Sequence, residues 1–115
     1  MKGDYAESVE ELARFQELVG GEQTAALMRE SFAKGGRQGF LRAMTGEPRP
    51  ANLTPYNLAT FHAELGEKDK AFVELNKSYQ NREAILGLLN VDPRFDSLRD
   101  DPRFQDLLRR FRFTK

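Results

Sequence analysis

The spacing of apolar residues along the chain predicts helices and no sheet. Apolar side chains recur three and four residues apart rather than in alternation, and β-branched residues are scarce. The fold class is therefore expected to be all-α. A first helix is predicted from about Tyr5 to Val19, and the glycines at 20 and 21 end it. Its inward face is predicted to hold Val9, Leu12, Ala13, Phe15 and Val19.

Glycines and prolines divide the next part of the chain. A second helix is predicted from about Glu22 to Lys34, and Gly35-Gly36 separates it from a third. These two helices are expected to form a hairpin. The segment from Gly46 to Pro50 cannot continue a helix, because proline removes a backbone donor and restricts the residue before it. We expect a loop there within one domain. The apolar positions of the third helix are Phe40, Leu41 and Met44.

Thr54-Pro55 predicts the start of a fourth helix. The threonine hydroxyl can cap free backbone N–H groups, and proline at the first helical position loses no hydrogen bond. This helix is expected to end at Leu65, with Gly66 as its left-handed cap, and a fifth helix follows. A short apolar helix is predicted near Ile85 to Leu89. The facing stripes hold Leu58, Phe61, His62 and Leu65 on helix four and Ala71, Phe72, Leu75 and Tyr79 on helix five.

The sequence Asp-Pro-Arg-Phe occurs twice near the C-terminus, at residues 92–95 and 101–104. Each Asp-Pro predicts a helix start, since Asp is a good N-cap and Pro fits the first helical position. The first copy leaves room for a turn or two that ends near Leu98. The second copy is followed by Leu107, Leu108 and Phe111 on one face, so it predicts a longer helix.

Composition narrows the class of protein. The 115 residues include 18 Lys plus Arg and 18 Asp plus Glu, so the strong positive field typical of a nucleic-acid binder is missing. The absence of cysteine excludes disulfides and thiolate chemistry and suits a reducing compartment. No apolar run approaches the roughly 20 residues that span a bilayer. We therefore expect a cytoplasmic protein that binds neither nucleic acid nor membrane.

Residues 53–83 resemble a tetratricopeptide (TPR) repeat. The resemblance rests on Leu58 and Ala59 in a first helix, Gly66 at a turn and Ala71 in a second helix. It implies antiparallel helical hairpins stacked as a short solenoid, because a single hairpin cannot cover its own apolar edges. Three positions depart from the family pattern, with Pro55 in place of Trp, His62 in place of Tyr and Ser78 in place of Ala.

The same resemblance implies how the whole chain is divided. Residues 3–20 look like a partial repeat that opens with a Gly3-Asp4-Tyr5 turn, and 22–47 like a degenerate hairpin. Residues 53–83 are the best-matching repeat, and 84–115 look like the C-terminal cap of TPR arrays in bacterial multidomain regulators. Whether the chain is a fragment of such a regulator is left open. The expected cap residues are Phe95, Leu98, Phe104, Leu107 and Leu108.

A non-catalytic protein–protein interaction or assembly module is the function that this resemblance implies. The first helix of the best-matching repeat is expected to line a partner-binding groove with Tyr56, Thr60, Ala63 and Glu64. The partner is a protein or peptide, and self-association through the N-terminal partial repeat is also expected. The alternative is a regulatory domain that senses a small ligand in an apolar pocket between hairpins.

Candidate catalytic groups are few. His62 is the only histidine, and it lies on an apolar stripe with no His or Cys paired with it, so we interpret it as structural. The glycines at 35, 36 and 39 lack the Gly-Lys-Ser/Thr of a phosphate-binding loop. No catalytic residue, cofactor or metal site is predicted. Phe111 and Phe113 lie near the end of the chain, where an exposed pair would mark an interface.

Overall fold

The protein is all-helical over the residues described in a computed structural model, 2–47 and 49–114, with side chains described for 5–47 and 49–111. The all-α prediction is confirmed for these residues. They form two compact units, residues 1–53 and 54–115, which divide between the predicted connection at residues 46–50 and the start of the next helix. The α-helices are α1 (Lys2–Leu18), α2 (Glu22–Thr45), α3 (Pro55–Glu64), α4 (Lys68–Gln80) and α5 (Pro102–Thr114), and two 3₁₀ helices span Ala84–Leu88 and Pro93–Leu98.

The first unit is built on the packing of α1 against α2. Val9 and Ala13 are the apolar side chains that α1 buries. They lie four residues apart, so they share one face of the helix. The side chains that α2 buries are Thr24, Ala25, Met28, Phe40, Leu41 and Met44.

Gly36 breaks α2 into two segments. Its φ of +63° and ψ of −151° are far from helical values, and glycine adopts such a conformation without a steric penalty. A Cβ placed on Gly39 would lie 3.0 Å from the carbonyl oxygen of Ser31. Residues eight apart in a straight helix are separated by about 12 Å, so the chain turns sharply at Gly36. The predicted break at Gly35-Gly36 therefore falls on its second glycine.

The predicted orientation of α1 was wrong at two positions. Phe15 and Val19 were expected to face inward, but both are exposed, and Gln16 is buried instead. The reason is geometric. Ala13 follows Val9 by four residues and Gln16 follows Ala13 by three, so all three lie on one face of the helix, and Phe15 lies outside it. The helix also begins at Lys2, so the expected turn at Gly3-Asp4-Tyr5 is helical.

The second unit centres on the hairpin of α3 and α4. Thr54 caps α3 as predicted, since its hydroxyl accepts from the backbone N–H of Asn57, and the Asn57 side chain accepts from the N–H of Thr54. After α3, Gly66 has a φ of +80°. Its N–H donates to the carbonyl of Ala63, which completes a tight helix end.

The C-terminal segments complete the core of the second unit. The 3₁₀ helix Pro93–Leu98 packs against α3, and α5 packs against α4. The five residues expected to form a cap are all buried here. The cluster consists of Tyr56, Ala59, Ala63, Ala71, Phe72, Leu75, Leu86, Leu89, Phe95, Leu98, Phe104, Leu107 and Leu108.

Within the described part of the chain, none of the helices combines the length and apolar character needed to cross a membrane.

Candidate interaction site

Three apolar side chains at the end of α1 face solvent. Phe15 is 58% exposed, Leu18 85% and Val19 51%. Leu18 follows Val9 by nine residues, roughly two and a half turns, so it lies on the opposite side of the helix from the buried face. Single exposed apolar residues are common, but three neighbours on one helix end form a patch. We call Phe15, Leu18 and Val19 the α1 stripe.

Hydrogen bonds fix the chain immediately after the stripe. The backbone N–H of Val19 donates to the carbonyls of Phe15 and Gln16, and that of Gly21 donates to Gln16 at 2.6 Å. The buried Gln16 amide in turn donates to the carbonyl of Asn52 at 3.4 Å. A Cβ on Gly21 would lie 2.4 Å from Oε1 of Gln16, so a side chain at this position would require the Gln16 amide to move. The stripe therefore lies on an anchored helix end.

Arg29 of α2 holds α1 from the other side. Its guanidinium donates two hydrogen bonds to Glu10, of 3.0 and 2.9 Å, and two to Glu17, of 2.7 and 3.3 Å. These bonds from Arg29 lower the pKa of both carboxyls. They also raise the pKa of Arg29. Two of the acidic residues of α1 are thereby used to attach it to α2.

Two other carboxylates of α1 face solvent and do not hold it to α2. Glu7 and Glu11 are exposed, and no cation pairs with either among the described residues. They precede Leu18 by eleven and seven residues, about three and two helical turns, so they share its face. The exposed face of α1 is thus acidic towards its start and apolar at its end.

A second apolar patch lies in the other unit. Ile85 is 42% exposed, Leu88 50% and Val91 71%. The first two belong to the 3₁₀ helix Ala84–Leu88, in which side chains three residues apart lie above one another. The N–H of Val91 donates to the carbonyl of Leu88, so the three-residue spacing continues to Val91. We call Ile85, Leu88 and Val91 the 85–91 ridge.

The four residues predicted to line a groove lie mostly in the interior. Tyr56 and Ala63 belong to the core of the second unit, and Thr60 is fully buried, with its hydroxyl donating to the carbonyl of Asn57. Glu64 is half-buried. A groove formed by these side chains stays a prediction, and in this structure only Glu64 offers surface.

Tyr56 instead takes part in a buried polar network. Its hydroxyl donates to Asp92 at 2.8 Å, and Asp92 also accepts from the backbone and guanidinium of Arg94. Burial raises the pKa of Asp92, but the hydrogen bonds from Arg94 and Tyr56 outweigh it, so that pKa is lowered. Burial and the bond to Asp92 raise the pKa of Tyr56. The carboxylate is fully occupied by internal donors.

The second Asp-Pro-Arg-Phe copy repeats this geometry nearer the surface. Asp101 accepts from the backbone N–H, Nε and Nη2 of Arg103 at 2.9, 3.1 and 2.9 Å. Arg103 also donates to Asp69 and lies over the ring of Phe72, 4.4 Å from its centroid. The two copies therefore form the same structural arrangement, an Asp that caps a helix and binds the Arg two residues later, which we call a joint. The sequence predicted the helix cap but not the bond to Arg.

His62 is buried, as its place on an apolar stripe predicted. Its Nδ1 lies 2.8 Å from Oε1 of Glu67, across the turn at Gly66. The sequence alone did not predict this pair. The signal was the five-residue spacing across a Gly-terminated helix end, which brings the residue after the glycine back to the last turn. No group of three or more potential ligands able to hold a metal ion occurs in the described part of the chain.

The stripe and the ridge were both missed as surfaces. Phe15 and Val19 were assigned to the core, and Ile85 was placed in a short apolar helix without an orientation. Phe111 is half-buried and packs against the core of the second unit, while the side chain of Phe113 lies outside the described residues. Comparison of the chain with protein-family models, curated proteins and solved structures found no match.

Proposed function

We propose that the chain is a non-catalytic protein–protein interaction and assembly module that binds its partner through the α1 stripe. The observation that carries this proposal is the exposure of Phe15, Leu18 and Val19 at the anchored end of α1. Water does not solvate such a patch well, and burying it against a partner removes apolar surface from water. Its anchoring lowers the ordering cost of binding.

A TPR-like architecture is part of the proposal. The α3–α4 hairpin supports it, because Ala59, Ala63 and Ala71 are almost fully buried and allow the two helices to approach closely. Gly66 forms the turn between them, as the resemblance implies. The burial of the expected cap residues is consistent with a tail that covers the last hairpin.

The polar groups best suited to chemistry have internal partners, which supports a non-catalytic function. Asp92 accepts from Tyr56 and Arg94, and His62 bonds Glu67. A catalytic acid or base needs a free position within hydrogen-bond reach of a substrate. We also propose a cytoplasmic location, which the lack of cysteine supports.

Photocrosslinking from residue 18 tests the proposal. A benzophenone amino acid replaces Leu18 in the full chain, and the matched control carries it at Val73, an exposed apolar position of α4 that is 54% exposed. In an extract of the source cells, we expect a discrete crosslinked adduct from position 18. Adding Phe15→Ser to the same chain should lower the yield of this adduct. The proposal fails if position 18 gives no adduct, or if positions 18 and 73 give the same ones.

A further inference from the structure

We propose that the partner of the α1 stripe is the 85–91 ridge of a second copy of this chain, so that copies associate head to tail. This inference rests on the proposed function and names the occupant of its site. Each patch presents three apolar side chains, each at least 42% exposed, and they lie in different units. A contact between two different patches is heterologous, so repeated contacts give a ring or an open array.

The spacing of the two patches is compatible. The ridge advances about 6 Å for every three residues of a 3₁₀ helix, and the stripe lies along a helix with a pitch of about 5.4 Å. Side chains at these intervals can interdigitate, which close packing at an interface requires. Phe15 supplies the large aromatic side chain of a kind enriched among residues that dominate binding.

Charge favours this pairing over stripe against stripe. Glu7 and Glu11 extend the exposed face of α1, and neither forms an ion pair in the described part of the chain, whereas the nearby Arg14 is paired with Glu10. Two stripes packed together would bring these carboxylates near like charges or apolar groups. An acidic face also repels anionic lipid headgroups, so a membrane is a poor occupant.

An exposed cation lies beside the ridge. Arg82 is exposed three residues before Ile85, and no carboxylate pairs with it within the described residues. The two nearest acidic residues are occupied internally. Glu83 accepts from the hydroxyl of Ser78 at 2.7 Å, and Asp92 accepts from Tyr56 and Arg94. Asp92 is neutralised by Arg94 and Glu83 is half-buried, so the fully exposed charge next to the ridge is the positive one of Arg82.

The overall charge does not oppose association. The chain has 18 basic and 18 acidic residues, so copies feel no long-range net repulsion. In the proposed contact, Glu11 beside the stripe of one copy faces Arg82 beside the ridge of the next copy. Such rim charges set register and partner choice more than affinity.

A mixing experiment with two variants tests the inference. Leu18→Glu removes the stripe and Leu88→Glu removes the ridge, while Val73→Glu is the matched control at an exposed apolar site. Sedimentation velocity is measured on the full chain from micromolar to millimolar concentration. We expect the wild-type chain and Val73→Glu to associate and each patch variant to sediment as a monomer. A mixture of the two patch variants should form a 1:1 dimer and nothing larger, because one intact stripe meets one intact ridge.

Three results would overturn the inference. They are a wild-type chain that stays monomeric at millimolar concentration, a Leu88→Glu variant that still associates, and a mixture that stays monomeric while the wild type associates. Circular dichroism of each variant checks that it is folded. If the wild type is monomeric but residue 18 crosslinks to a different protein, the proposed function stands and the head-to-tail pairing is wrong.

A charge exchange gives a second readout. Glu11→Arg and Arg82→Glu should each weaken association roughly two- to fivefold, as expected for a rim ion pair. Together in one chain they should restore it, because the pair is formed again with its signs reversed. A double variant no better than the weaker single variant would contradict the assigned pairing.

Discussion

Gly66 and Arg82 occupy the same place at the ends of two helices, but only one of them is a glycine. Both have left-handed φ values, +80° and +56°. In each case the next residue donates its N–H back to the preceding helix, from Glu67 to His62 at 2.9 Å and from Glu83 to Ser78 at 3.1 Å. A residue with a Cβ is strained in this conformation and glycine is not.

Exchanging these residue types should change stability in opposite directions. We expect Gly66→Ala to lower the free energy of unfolding by about 1 kcal/mol, and Arg82→Gly to raise it by up to about 1 kcal/mol. Urea unfolding followed by circular dichroism, at a concentration where the chain is monomeric, measures both. Changes of the same sign would show that backbone strain is not the governing difference.

The ionised carboxylate of Asp101 makes the stability of the folded protein depend on pH in the acidic range. Hydrogen bonds from the side chain and backbone of Arg103 lower the pKa of Asp101 to about 2. A carboxyl whose pKa is lower in the folded state adds stability above its unfolded pKa of about 3.9, and this is lost as the pH falls towards the folded pKa.

We therefore expect Asp101→Asn to flatten the loss of stability between about pH 5 and pH 2. Some dependence should remain, because the pKa values of Asp92, Glu10 and Glu17 are also lowered. Thermal unfolding of the wild type and the variant across this range measures the difference. Parallel pH profiles would contradict the contribution assigned to Asp101.

At the scale of elements, the two Asp-Pro-Arg-Phe copies begin helices of different length with the same joint. Each Asp caps its helix and binds the Arg two residues later, and each Phe is fully buried. They differ in surroundings. Asp92 is 7% exposed and also accepts from Tyr56, whereas the second joint is linked through Arg103 to Asp69 at the surface.

The buried joint should be the more important one for stability. Asp92→Ala removes the helix cap and leaves the Tyr56 hydroxyl and part of the Arg94 guanidinium without a partner. We expect a loss of about 2–4 kcal/mol in the free energy of unfolding. Asp101→Ala should cost less, since water can replace the carboxylate there. Denaturant unfolding compares them, with Tyr56→Phe as the control that removes only the hydroxyl; equal losses would contradict this ranking.

Local signals in the sequence predicted the starts and ends of helices well. Thr54-Pro55, Gly66 and the two Asp-Pro pairs all begin or end helices where expected, because capping depends on residues within a few positions of each other. The length of the last helix and the burial of Phe104 followed from periodicity in the same way.

Partners far apart in sequence could not be predicted in this way. Nothing near Tyr56 indicates that its hydroxyl meets Asp92, 36 residues later. The orientation of α1 failed for a related reason. Hydrophobicity placed Phe15 inside, but the position of α2, through Arg29, and the bond from Gln16 to Asn52 decide which face is buried. The candidate site was missed because two of its three residues, Phe15 and Val19, were assigned to the core by the apolar pattern.

At the scale of the whole molecule, the second unit contains a complete core. Its thirteen buried cluster members all lie between residues 54 and 115. We expect a fragment of residues 54–115 to be helical and to unfold cooperatively, because apolar burial drives folding and its core residues are all present. Thermal circular dichroism measures this. A fragment without a cooperative transition would show that its core needs residues 1–53.

The proposed function depends on whether the α1 stripe becomes buried when the protein acts. Fluorine NMR measures this directly, with trifluoromethyl-phenylalanine in place of Phe15 in one sample and of Val73 in another. As the chain concentration is raised, or as extract of the source cells is added, the signal from position 15 is predicted to shift and broaden while that from position 73 stays unchanged. An unchanged signal at position 15, or equal changes at both positions, would contradict the account.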